Sequence, residues 1–288
     1  MRSFHFLVNP SSGGGAAPAA VVPVARRLRD AGATVAVTYS PGPIECRALV
    51  SDAVRRGEVV VAVGGDGMVA SLAGTVVEAG GVLGIVPSGR GNDFARQLGL
   101  GAEPGDIART LLDAEPRPVD VIDVDGRVVV GSVYAGVDSL ASELVDRAQL
   151  LPKAVQYPYA AVRALLTFKS TTFLVVVDGV PHEHQAFNVV VANSGYYGSG
   201  MHIAPDASLT DGMLDVIVVG SASRYRLIRS MPKLYDGTHV ELDEVHVLRG
   251  AEISLSAATP MTAYGDGEEI APLPVTAKLR SLALNVLA

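Results

Sequence analysis

The chain is poor in cysteine, tryptophan and charge. Cys46 is its only cysteine, which excludes an intramolecular disulfide and a cysteine-built zinc site. A reducing compartment suits such a chain. Charged residues make up 18% of the sequence against 49% hydrophobic residues, a balance that excludes a disordered polymer. Nowhere is there a run approaching the ~20 apolar residues that span a bilayer. The apolar stretch Phe4 to Val8 is too short for the core of a secretion signal. A cytoplasmic protein is expected. There is no basic excess either. The net charge of −7 argues against nucleic acid as a partner and against a globally polybasic membrane anchor. Three local basic clusters remain: Arg26, Arg27 and Arg29; Lys153, Arg163 and Lys169; and Arg224, Arg226, Arg229 and Lys233. Each reads first as a solvated helix face.

At roughly 100–200 residues per domain, 288 residues suggest two domains. The first 115 residues alternate strand and helix. Phe4–Val8 and Thr34–Tyr39 read as strands, with helical spacing over residues 18–31, a turn at Pro41–Pro43 and a helix to about Arg56. Val59–Val63 and Val82–Pro87 are continuous apolar runs of strand length, as expected of strands buried on both faces of a parallel sheet. After Pro116 the rhythm changes to strands: Val119–Asp125, Arg127–Tyr134, Thr172–Val177, Phe187–Ala192, Met213–Val219, Glu241–Leu248, Ala251–Ser256 and Val275–Val286. Two helical stretches interrupt them, 151–168 and about 222–236. The fold class expected is α/β: an N-terminal α/β nucleotide-binding domain over residues 1–119, then a mostly antiparallel β-sandwich over 120–288.

Glycine is abundant, with 31 residues, and it clusters where expected strands end. Gly64-Gly65-Asp66-Gly67 joins a buried strand to a helix. Glycines there let backbone N–H groups approach phosphate oxygens, the helix N-terminus favours an anion, and Asp66 is placed to meet Mg²⁺. The same four residues also make an ordinary strand–helix turn. Pro87-Ser88-Gly89-Arg90-Gly91-Asn92-Asp93 follows the next strand. Ligands of open α/β sheets bind at the carboxyl ends of strands, so the two loops can share one crevice. Arg90 suits a bidentate phosphate contact, and Asn92 suits either a helix cap or a ligand contact. The loop opened by Asn9 is a third wall, and Thr38 a fourth contact. Later come Asp206, Asp211 and Asp215, and then Asp266-Gly267-Glu268-Glu269 in a turn between strands. Phosphoryl transfer needs a proton acceptor and neutralised charge, which paired carboxylates supply; Asp-Gly is equally a common hairpin turn. The six histidines are scattered and read as surface or packing residues.

Taken in order, NPSSGGG at 9–15, GGDGM at 64–68, SGRGNDFAR at 88–96, ANSGYYGSGMHIAPDASLTDGMLDV at 192–216 and DGE at 266–268 resemble the diacylglycerol kinase catalytic family, in its soluble bacterial lipid-kinase branch. The resemblance implies an active site in a cleft between the two domains. It implies ATP beside Gly64, Gly65, Asp66 and Gly67, with Asn9, Thr38, Gly89, Arg90, Asn92 and Asp93 around it. Asp66 would help hold catalytic Mg²⁺. Asp266 would accept the hydroxyl proton, and Glu268 would support it or the metal. Ser208, Asp211 and Met213 would form a second, structural Mg²⁺ loop. The partner implied is a lipid substrate met transiently at the membrane surface, diacylglycerol first; a homodimer stays open. Two positions depart from the family pattern: Met68 and Arg90 each stand where threonine is usual. The rival readings are an NAD kinase, a dinucleotide-dependent oxidoreductase and a non-catalytic nucleotide- or lipid-binding regulator.

Overall fold

The computed structural model of the chain describes residues 2–40, 43–147 and 153–288. The expected Pro41–Pro43 turn and the start of the expected 151–168 helix fall partly outside them. In chain order the elements are β1 (Ser3–Val8), α1 (Ala17–Asp30), β2 (Thr34–Tyr39), α2 (Pro43–Arg55), β3 (Val59–Gly64), α3 (Asp66–Ala79), β4 (Val82–Pro87), α4 (Asp93–Gln97), α5 (Pro104–Asp113), β5 (Pro116–Val124), β6 (Arg127–Val129) and β7 (Ser132–Gly136). Then follow α6 (Val137–Arg147), α7 (Lys153–Thr167), β8 (Thr171–Val177), β9 (Val180–Ala192), β10 (Tyr196–Tyr197), β11 (Met201–His202), β12 (Leu214–Gly220), α8 (Arg224–Ser230) and α9 (Lys233–Asp236). The chain closes with β13 (Val245–Gly250), β14 (Glu252–Ala257), β15 (Thr262–Gly265), β16 (Glu268–Pro272) and β17 (Val275–Leu287).

β2, β1, β3 and β4 pair side by side in parallel. All six residues of β3 are buried. Their alternating side chains supply the two layers packed on the sheet. Leu7, Val60, Ala62 and Leu72 belong to the core beneath α2 and α3; Phe4, Phe6, Val61 and Val63 belong to the core beneath α1 and α5. In α1 the buried residues Val21, Val24, Ala25 and Leu28 recur at the spacing of one helix face, and a proline in the first turn suits the start of a helix. Each fully buried Val, Leu or Phe contributes roughly 1.5–3 kcal/mol, so these layers hold the loop-bearing strand ends rigidly.

The second half is antiparallel, with β7, β9, β8, β14 and β17 paired in that order and β12 and β13 continuing from β9. β17 links the two halves. It pairs antiparallel with β14 and with β5, and its end runs parallel to β4. The register slips between Arg280 and Leu284, where Leu282 takes a φ of 50°. The fully buried Asp120 of β5 satisfies that irregularity: one carboxylate oxygen accepts the Leu282 N–H at 2.7 Å and the other the Gly212 N–H at 3.0 Å. The buried Asn193 side chain adds a second tie, donating to the Asp120 and Val130 carbonyls at 2.9 Å each.

Several expected elements change shape. The strand expected over Arg127–Tyr134 breaks into β6 and β7, because Val130 and Gly131 turn their N–H groups to a carboxylate instead of a neighbouring strand. Helix α6 was not expected; Gly136, with a φ of 132°, ends β7 and starts it with no polar turn to mark the change. β9 extends back to Val180, a half-exposed tract whose polar residues hide its strand character. The expected Glu241–Leu248 strand starts late, after a short helical turn at Thr238–Glu241.

Asp120→Ala strands two backbone N–H groups at the seam between the halves. It should cost about 2–4 kcal/mol, since each unpaired buried donor carries a penalty of about 1–3 kcal/mol. A urea unfolding midpoint equal to the parent's would show that this latch is not needed.

Candidate active site

β1, β3 and β4 end at one edge of the sheet, and the three glycine-rich loops begin there. They are joined by hydrogen bonds from backbone N–H groups. The Asn9 N–H donates to the Val63 carbonyl at 3.1 Å, the Ser88 N–H to the Gly64 carbonyl at 2.8 Å, and the Gly65 N–H to Ser12 Oγ at 2.9 Å. A methyl group on Gly89 would stand 2.4 Å from Gly65 Cα, and one on Gly13, at a φ of 59°, 2.1 Å from the Ser88 oxygen. Only glycine permits that approach. Asn92, at a φ of 50°, staples the second loop: its Oδ1 accepts the Gly89 N–H at 2.8 Å and its Nδ2 donates to the Gly89 oxygen at 3.1 Å. Asn92 thus holds the N-cap position of α4 without a side-chain cap hydrogen bond. Asp66 takes that part, accepting the Phe94 N–H of α4 at 3.2 Å through Oδ1.

The second oxygen of Asp66 points elsewhere. A methyl group on Gly91 would lie 3.0 Å from Asp66 Oδ2 and 3.1 Å from Asp93 Oδ2, so both carboxylates converge on that glycine. Asp93 is buried and accepts the Ser199 N–H at 2.8 Å and the Gly200 N–H at 2.7 Å, which ties the first half of the chain to the second. Burial, and then the charge of Asp66, push its carboxyl above the usual range.

Asp266 faces this pair from the β15–β16 turn, at a φ of 50°. Its Oδ2 accepts the Val130 N–H at 2.8 Å; its Oδ1 accepts the Gly131 N–H at 2.9 Å and the Ser132 N–H at 3.2 Å. Burial raises its pKa to about 6 against the pull of those three donors, and the charge of Asp66 adds to the rise. Asp66, Asp93 and Asp266 line one cavity of about 300 Å³ with Tyr134, Asp138, Tyr197 and Ser199. No lysine or arginine is among the described residues lining it.

Behind it lies a second cavity of about 180 Å³, lined chiefly by apolar side chains including Ala141, Leu165, Met201, Leu227 and Leu234. Asp138 and Tyr197 line both cavities and form the step between them. The Asp138 carboxylate accepts the Tyr197 hydroxyl and, at 2.5 Å, the Asn188 amide; burial raises its pKa. Residues 138, 188 and 197 were not singled out in the sequence, although the Tyr-Tyr-Gly-Ser-Gly run at 196–200 marks a close-packed loop.

Other expected site residues sit apart. Glu268 is exposed on β16 and is not among the residues that line the cavity. Thr38 Oγ1 and His5 Nε2 are hydrogen-bonded to each other at 2.9 Å, and Asn9 Oδ1 accepts from Ser11. Arg90 is exposed and Gly67 lies in the first turn of α3. In the 208–213 loop, Ser208 Oγ accepts the Thr210 N–H at 3.4 Å and Asp211 Oδ1 accepts the Met213 N–H at 3.1 Å. The cation at Asp211 is a guanidinium. Arg249 reaches Asp211 at 2.5 Å and Asp215 at 3.0 Å, and the sequence reading attached no role to it. Asp215 Oδ2 is buried with no hydrogen-bond partner, an acceptor that a further cation or water would satisfy. Among the described residues no three acidic, histidine or cysteine side chains close on one point. A divalent ion at Asp66 and Asp93 would therefore take its remaining oxygens from phosphate and water, as Mg²⁺ commonly does.

An α/β domain whose strand ends present glycine-rich loops, closed by an acidic cleft against a β-sandwich, is the arrangement of a kinase-type phosphotransferase. Residues 3–124 match the diacylglycerol kinase catalytic domain, and residues 131–288 match the YegS C-terminal NAD kinase beta sandwich-like domain. The chain is 34% identical over 295 residues to a diacylglycerol kinase of Mycobacterium tuberculosis, covering 98% of this chain and 93% of that one. It is 24% identical over 283 residues to a diacylglycerol kinase of Bacillus subtilis, covering 95% and 92%. A crystal structure of a diacylglycerol kinase from Bacillus anthracis shares the fold, with a TM-score of 0.75 at 18% identity over 99% of this chain and 96% of that one. The chain belongs to the diacylglycerol kinase-like lipid kinase family. No helix among the described residues is long and apolar enough to cross a membrane.

Gly89→Ala should reduce kcat/KM for the nucleotide by about 100-fold, the scale of an ångström-sized misplacement of reacting groups, by forcing the two loops apart. Unchanged nucleotide kinetics would show that their contact does not set the site.

Proposed function

We propose that this chain transfers the γ-phosphoryl group of ATP to the hydroxyl of a lipid, with diacylglycerol the foremost acceptor. One observation carries the reading: a half-buried carboxylate, Asp266, lines a cavity with Asp66 and Asp93, and that cavity shares Asp138 and Tyr197 with a second, apolar one. A soluble dinucleotide has no use for the second space, whereas an acyl chain does.

The nucleotide would lie over the joined loops with its phosphates toward Gly65 and Gly89, where the N-terminus of α3 favours anions. Mg²⁺, held by Asp66 with Asp93 beside it, would neutralise charge on the phosphates. Asp266 takes the proton as the lipid oxygen bonds to the γ-phosphorus, the bond to the bridging oxygen of ADP breaks, and the proton later leaves to solvent. Its three backbone donors fix its direction, and its raised pKa makes it a stronger base than an exposed aspartate. The Asp138–Tyr197 step is placed to hold the polar neck of the lipid.

Asp266 works only when ionised, so activity should be lost as pH falls. With the free enzyme's pKa at about 6, kcat/KM should be level above that pH and fall about tenfold per unit below it. A profile flat down to pH 5, or an Asp266→Asn variant with near-normal turnover, would remove Asp266 from the role of base.

Ala141→Phe tests the second cavity. Ala141 is buried on α6 and lines that cavity alone. Filling it should raise KM for long-chain diacylglycerol by about tenfold or more, the cost of losing one or two buried methylenes, and leave a short-chain analogue little affected. Equal effects on both would move the acyl chain elsewhere.

A further inference from the structure

We propose that His184 and His246 form a binding site for a divalent transition-metal ion of the zinc class, at the rim of the sandwich and apart from the kinase cleft. Three of the histidines that read as scattered in the sequence meet there. His182 and His184 are two residues apart on β9, so they share one side of the strand. Across the ladder they lie opposite Val175 and Phe173 of β8, and His246 of β13 lies opposite Val218 of β12; those three partners are core residues. The histidines therefore carry the inner face of the sheet out to its edge. The rings of His184 and His246 stack with centroids 4.9 Å apart, and His182 stands 6.5 Å from His184. Stacked rings pack well, but one atom gains nothing from packing. His184 Nε2 is shut off from solvent and has no hydrogen-bond partner. Buried polar atoms left so are few in folded proteins, and an ion is one of the groups that satisfy them.

The surroundings select the ion. His184 and His246 line an open depression of about 490 Å³ with Glu183, Asp243, Glu244 and Arg226. Three carboxylates thus stand against one guanidinium, and Arg226 is already bound to Glu244 at 2.6 Å, so the depression favours a cation. Imidazole nitrogen suits Zn²⁺, Cu²⁺ and Ni²⁺, whereas Mg²⁺ prefers oxygen. A ligand histidine must be neutral. Burial first, and then the neighbouring His246 and His182, hold His184 below its ordinary pKa. Rings stacked face to face cannot aim their lone pairs at one ion, so binding turns them edge-on. His246 is exposed and has no hydrogen bond or ion pair among the described residues to resist that turn. Water completes the shell, since among the described residues no third histidine or carboxylate closes on the same point. Of the residues lining the depression, none lines the acidic cleft and only Glu244 borders the apolar cavity.

Calorimetric titration of the full chain with Zn²⁺ tests this, in buffer holding excess Mg²⁺ to occupy oxygen-rich sites. Zn²⁺ should bind near neutral pH despite the Mg²⁺, and acidifying to about pH 5 should release it as the imidazoles protonate. His184→Gln and His246→Gln should each weaken binding by at least about tenfold, the scale on which even an outer partner of a metal site counts. With Cu²⁺ as the probe, the electron paramagnetic resonance spectrum of the wild type should show coupling to imidazole nitrogen, and the double variant should lose it. Wild type that takes up no Zn²⁺ beside Mg²⁺, variants that bind Zn²⁺ as the wild type does, or a copper spectrum without nitrogen coupling would overturn the site.

Discussion

The structure is organised around the repulsion of three carboxylates. Asp66, Asp93 and Asp266 come from three separate elements and meet at one cavity with no basic side chain among its described lining residues. Each is held by backbone N–H groups belonging to a different part of the chain: Asp66 by Phe94, Asp93 by Ser199 and Gly200, and Asp266 by Val130, Gly131 and Ser132. Neutral donors stabilise the charges without cancelling them. The site thus keeps a negative potential: burial first, and then the charge of Asp66, raises the pKa of Asp93 and Asp266. Bringing a polyphosphate beside three carboxylates is favourable only with a cation between them, so the proposed nucleotide would have to enter this cleft with a metal ion.

The same hydrogen bonds assemble the fold. Asp93 belongs to the parallel-sheet half and its donors to the sandwich half. β17 and the Asp120 latch repeat that connection at the opposite side of the seam. The boundary expected near residues 118–120 falls within β5, a strand whose partner β17 also reaches β4. The two halves therefore share strands, and the cleft is set by shared hydrogen bonds.

Much of this was legible in the sequence. Continuous apolar runs of strand length such as Val59–Val63 fit strands buried on both faces, and glycine loops after parallel neighbouring strands can gather at one sheet edge. The three loops therefore met as expected, as did Asp66 and Asp93. What escaped the reading depends on contacts distant in the chain. Asp266 lies 134 to 136 residues from its donors, and the break at Val130–Gly131 makes sense only when that carboxylate is in place. Arg249 looks like any strand arginine until folding brings it to Asp211. Helix α6 and the Asp138–Asn188–Tyr197 step carry no local signal, because their polar partners are 50 residues away or more. Glu268 shows the converse: it is two residues from Asp266 in sequence, yet it is exposed on β16.

The central claim, that the acidic cleft and the apolar cavity behind it are one machine for phosphorylating a lipid, is most directly tested by following the label from γ-labelled ATP. The protein would be incubated with Mg²⁺ and a panel of lipids in mixed micelles, with NAD in a parallel tube. The account predicts label in a lipid, diacylglycerol foremost, and none in NAD. Label in NAD, or in neither, would contradict it.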